Sequence, residues 1–71
     1  MTTQLLTKLI ELKAELDTAD KKLTFKVTAS NDLTVCAYPY FRGYICYTNL
    51  DKITEETYNY VVNSIRAEFA R

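Results

Sequence analysis

Alternation of apolar and polar residues on either side of a short polar break constrains this chain more than any other feature. Leu23, Phe25, Val27 and Ala29 alternate with Thr24, Lys26, Thr28 and Ser30, and after Ser30, Asn31 and Asp32 the pattern resumes with Leu33, Val35 and Ala37 against Thr34, Cys36 and Tyr38. A period of two with β-branched and aromatic residues is the signature of strands buried on one face. With Ser30 to Asp32 as the loop, and Asn or Asp supplying a left-handed residue, Ala29 faces Leu33, Val27 faces Val35 and Phe25 faces Ala37. A loop one residue shorter would put Leu33, Val35 and Ala37 on the side of Lys26, because a single-residue slip exchanges the faces of a strand.

The next break, Pro39, Tyr40, Phe41, Arg42 and Gly43, holds the only glycine of the chain, the natural position for a positive φ. A hairpin centred on Phe41 sets Ala37 against Ile45 and Val35 against Tyr47, which continues the apolar face. On the other face it sets Tyr38 against Tyr44, Cys36 against Cys46 and Thr34 against Thr48. The outer surface then reads as three rows: Thr24, Tyr38 and Tyr44; Lys26, Cys36 and Cys46; Thr28, Thr34 and Thr48. The two turns give mutually consistent faces.

Helical periodicity flanks this sheet. From Thr3 to about Ala19, Leu5, Leu9, Leu12 and Leu16 form a stripe that Leu6 and Ile10 broaden, while Lys8, Glu11, Lys13 and Glu15 occupy the opposite side. Residues Asp17 to Lys22 are polar and connect to the first strand. A second helix runs from Thr54 to about Arg71. Thr54 is its N-cap, Glu55 and Glu56 favour the helix dipole, Ile53 can staple onto Tyr58, and Tyr58, Val61, Val62, Ile65 and Phe69 form the buried stripe. The expected architecture is a two-layer α+β fold in the order α-β-β-β-α, a three-stranded antiparallel meander with both helices packed on one face, as a single domain over residues 1–71.

Composition narrows the chemistry. The chain has no His, which removes imidazole bases, His metal ligands and Ser-His or Cys-His dyads. Its two Cys cannot close a zinc site without two further ligands, and in a reducing compartment they remain thiols that pack side by side. Asp17, Asp20, Asp32, Asp51, Glu55 and Glu56 fall at helix ends and turns, where capping places them. One Gly cannot build a phosphate-cradling loop. These features speak against an enzyme and imply no cofactor and no metal. Nine basic against nine acidic residues leave no field for a polyanion, and residues 4–12 are too interrupted by charge for a signal peptide or membrane span. The expectation is a soluble, cytoplasmic protein without membrane contact.

Aromatic placement points to the candidate site. Tyr47 and Tyr58 fall on expected core faces, whereas Tyr38, Tyr40, Phe41 and Tyr44, with Arg42 and Lys26, gather on the outer face and at one end of the sheet. Tyr and Arg are enriched in binding hot spots, and cross-strand pairing of Tyr38 with Tyr44 would also stabilise a small sheet. The expected function is a non-enzymatic protein-protein interaction module of inhibitor or adaptor type. Small, motif-poor chains of that kind are carried by phages and other mobile elements. The thin core of a chain of 71 residues, set against an ordering cost of about 1.5 kcal/mol per residue, also argues for a homodimer. The alternative is a single-stranded nucleic-acid binder stacking bases on Tyr38 and Tyr44 beside Lys26 and Arg42, which zero net charge weakens. An enzyme with a site shared between subunits ranks last.

Overall fold

The computed structural model describes residues 2–38 and 45–70. Its elements are α1 (Thr2–Leu16), β1 (Lys22–Val27), β2 (Asp32–Tyr38), β3 (Cys46–Asn49), a 3-10 turn (Leu50–Lys52) and α2 (Glu55–Phe69). The strands form one antiparallel sheet in the order β1-β2-β3, so the α+β meander stands as expected. Leu5, Leu9 and Leu12 of α1 and Val61 and Ile65 of α2 are buried with Leu23, Leu33, Val35, Cys46 and Leu50 in one cluster. Both helices therefore cover the same side of the sheet. Ile10 departs from the expected stripe at 63% exposure, because the residues that meet the sheet are spaced on the line of Leu5, Leu9 and Leu12 and Ile10 lies off it.

The helix ends are set by side chains. Thr54 caps α2 by accepting from the Thr57 N–H at 3.2 Å. α1 stops at Leu16, short of Ala19, because Asp17 turns its carboxylate onto the next element: Oδ1 accepts from the Leu23 N–H at 2.8 Å and Oδ2 from Lys13 Nζ at 2.8 Å. Lys13 Nζ also donates to the Leu23 carbonyl at 3.0 Å, so helix and strand are joined at a single junction. The hydrogen bond from Lys13, the Leu23 N–H and the charges of Lys13 and Lys22 together hold the Asp17 carboxyl below the usual carboxylate range. The same end of β1 is tied to α2, where Lys21 Nζ donates to the Glu68 carbonyl at 2.6 Å and lies 5.1 Å from the Phe69 ring centre.

The first hairpin has the expected faces and a different register. Leu23 pairs with Ala37, Phe25 with Val35 and Val27 with Leu33, a shift of two residues. Such a shift leaves every side chain on its own face, so hydrophobic patterning cannot detect it. Thr28 is the physical cause: its N–H donates to the Asp32 carbonyl at 3.0 Å, and its Oγ1 accepts from the N–H groups of Ser30 and Asp32 at 3.2 and 3.1 Å. That hydroxyl turn takes Thr28 and Ala29 out of the strand, and Asn31 supplies the left-handed residue at φ 62°. Val27 consequently sits at the margin, 42% exposed, and is not the core neighbour of Val35.

The second hairpin departs further. Val35 is opposite Cys46, Thr34 opposite Tyr47 and Leu33 opposite Thr48, an odd offset from the expected pairing that exchanges the faces of β3. Cys46 is buried and Tyr47 is exposed. The Ile45 N–H donates to the Val35 carbonyl at 2.6 Å while Cys46 is registered against the same residue, so Ile45 and Cys46 both answer to Val35, the two-against-one arrangement of a β-bulge. A bulge lets Ile45 and Cys46 both serve the core, and the alternation restarts from Cys46 and ends on buried Leu50. The turn centred on Phe41, and with it the pairing of Tyr38 with Tyr44, lies outside the described residues.

Two tests follow from this packing. Val35→Asp places a charge in the centre of the apolar layer and is expected to lower unfolding free energy by about 3 kcal/mol or more in denaturant melts; parent-like stability would refute the assigned core. Because the carboxyl of Asp17 ionises more readily when folded, its contribution is present above the unfolded value, near 3.8, and disappears as pH falls through the folded one. Acid titration of stability is therefore expected to fall less steeply below about pH 4 in Asp17→Asn than in the parent.

Candidate functional site

The outer face of the sheet follows directly from this register. Lys22 lies opposite Tyr38, Thr24 opposite Cys36, and Lys26, Thr34 and Tyr47 form one row across all the strands, with Asp32 opposite Asn49 beyond them. No described helix covers this side. Tyr38 and Tyr47 are 63% and 53% exposed, Lys22, Lys26 and Thr24 are exposed, and Thr34 and Cys36 are half-buried between them. Thr24 Oγ1 donates to the Cys36 carbonyl at 3.3 Å, and Asn49 Nδ2 donates to Asp32 Oδ1 at 2.9 Å and to the Ser30 carbonyl at 3.2 Å. The face is thus a polar-aromatic platform with its cations along β1 and its tyrosines on β2 and β3.

Of the residues expected to form the site, Lys26 and Tyr38 are on this face, in different rows. Tyr40, Phe41, Arg42 and Tyr44 lie outside the described residues. Tyr47, expected in the core, stands on the face instead, for the bulge sends it there. Lys22, expected in the connecting segment, joins the ladder opposite Tyr38. Each has a signal in the sequence, though simple alternation does not choose the correct parity for Tyr47. Lys22 shares the parity of Thr24 and Lys26, and Leu50 shares that of Cys46 and Thr48, so burying Leu50 and Cys46 spares the core the hydroxyl of Tyr47 and the amide of Asn49.

The cysteines do not form the expected outer-face pair. Cys36 is half-buried on the outer face and Cys46 is buried on the inner one, both as free thiols. Removal from water, with a smaller contribution from the neighbouring Cys36, pushes the Cys46 thiol up to about 11. It is correspondingly inert. Among the described residues no group of three or more His, Cys, Asp or Glu side chains comes together, and no helix is long and apolar enough to cross a membrane. No protein-family model, curated protein or solved structure matches the chain.

The thiols provide a check on the faces. Brief alkylation of the folded protein near pH 8 is expected to modify Cys36 and leave Cys46 intact until denaturant is added; equal modification of both would return Cys46 to the outer surface.

Proposed function

We propose that this chain is a small non-enzymatic module that binds another protein through the uncovered outer face of its sheet, in the manner of an inhibitor or adaptor. The observation that carries the reading is the exposure of Tyr38 and Tyr47 on a sheet face that no described helix covers, flanking half-buried Thr34 and Cys36. Tyrosine brings a large apolar ring with few rotatable bonds and a polar tip, so it loses little entropy when a partner covers it. A rigid sheet holds both rings in place before binding. A second copy of the chain is one partner of this chemistry, and a homodimer would cover the same face. A single-stranded nucleic acid is the second reading, favoured by Lys22 opposite Tyr38 and by Lys26 in the row of Tyr47. It ranks lower because the chain as a whole carries no net charge.

Affinity capture from native lysate with the parent and with Tyr38→Ala and Tyr47→Ala tests the face. Each substitution is expected to weaken the captured partner by about 1–3 kcal/mol with little dependence on salt. Retention of the same partner by the doubly substituted protein would take the face out of the interaction. Tight binding of a labelled oligonucleotide that weakens steeply with added salt would reverse the order of the two readings. Light scattering at micromolar concentration separates a self-paired dimer from a monomer.

A further inference from the structure

The margin of the sheet at β1 carries a second surface. In an antiparallel ladder, alternate residues direct both backbone groups toward the neighbouring strand and the intervening ones direct theirs away. The Thr28 N–H bonds the Asp32 carbonyl, which places Lys22, Thr24 and Lys26 on the β2 side of the backbone pattern. In agreement, Leu23 points both groups outward, its N–H to Asp17 Oδ1 at 2.8 Å and its carbonyl to Lys13 Nζ at 3.0 Å. Phe25 and Val27 point the same way, and among the described residues nothing bonds their N–H and carbonyl groups. The open part of the margin is thus short and bounded. Asp17 and Lys13 close it at Leu23, and the hydroxyl turn of Thr28 closes it at the other end.

Charge decides what can occupy it. For a second copy to add its own β1 antiparallel, the free groups of Phe25 must meet those of Val27, since Leu23 is already bonded and Ala29 lies in the turn. That register sets Lys26 of one copy directly opposite Lys26 of the other on the outer side. Like charges so placed destabilise a strand pair, and an edge lysine is a common guard against self-pairing. Lys26 is exposed and has no carboxylate partner among the described residues. An acidic side chain in the same place would be attracted, and apolar side chains on the inner side would meet half-buried Phe25 and exposed Val27.

We propose that the free margin of β1 between Phe25 and Val27 accepts an added strand from another protein, an extended segment with an acidic residue opposite Lys26 and apolar residues beside Phe25 and Val27. Main-chain bonds to the edge would supply affinity, and Lys26 would select the charge. This margin shares Lys26 with the outer face and none of its tyrosines, so a partner of the tyrosines can be lost while one on the margin is kept.

Amide exchange by NMR with two synthetic peptides tests the proposal, one alternating valine with glutamate and one alternating valine with lysine. In the free protein the Phe25 and Val27 amides should exchange faster than those of Thr24 and Lys26. The glutamate peptide at millimolar concentration is expected to slow Phe25 and Val27 by about tenfold or more, the effect of nine-tenths occupancy, and the lysine peptide to leave them unchanged. Tyr38→Ala with Tyr47→Ala should retain the slowing, and Lys26→Glu, at an exposed site, should transfer the preference to the lysine peptide. Slowing by neither peptide, equal slowing by both, or perturbation confined to Tyr38 and Tyr47 would overturn it.

Discussion

Val35 accepts a hydrogen bond from Ile45 while standing opposite Cys46, and that one offset decides which residues of β3 enter the core. Were the strands paired one step differently, Tyr47 would lie under the helices and Cys46 would lie on the open side. A tyrosine in the apolar layer would need a partner for its hydroxyl, and no buried side-chain polar atom among the described residues lacks one. With the bulge, the layer between sheet and helices is filled by Leu5, Leu9, Leu12, Leu23, Leu33, Val35, Val61 and Ile65, all essentially inaccessible to water. Each such side chain contributes about 1.5–3 kcal/mol relative to exposure. The aromatic outer face is the other side of the same choice.

The parts of the fold that depend on one-dimensional periodicity were legible in the sequence. Leu5, Leu9 and Leu12, and Val61 and Ile65, lie where helical spacing puts them, and the Thr54 cap and the faces of β1 and β2 agree with alternation and capping chemistry. What alternation alone does not reveal depends on local hydrogen bonds to the backbone. The hydroxyl of Thr28 lengthens the first turn without changing a face, and a bulge at Ile45 and Cys46 changes the faces of β3 without breaking its alternation. Patterning is blind to the first and misled by the second. The expected outer surface differs accordingly: Tyr38 and Lys26 lie on it, Cys46 does not join Cys36 there, and Tyr47 stands on the side opposite to the expected one.

The sheet is guarded unevenly. At Leu23 the Asp17 and Lys13 side chains satisfy the outward backbone groups, so the ion pair that ends α1 also shortens the open margin of β1. A half-buried pair still open to water adds little stability by Coulomb attraction alone. Its bonds to Leu23 give it a second role, since each covers a main-chain group that an approaching strand would need.

Three of the polar contacts that hold the helices down join distant parts of the chain: Thr2 Oγ1 to the Leu50 carbonyl, Glu15 to Arg66, and Lys21 to Glu68. The hairpin of β1 and β2, by contrast, closes over a few residues. Closing long loops costs more entropy than closing short ones, so the hairpin can assemble while the helices are still undocked. During synthesis β1 and β2 leave the ribosome well before Val61 and Ile65 of α2. Until α2 arrives, the inner side at Leu33 and Val35 has only α1 to cover it, and the nascent chain presents an adhesive surface that the finished protein hides.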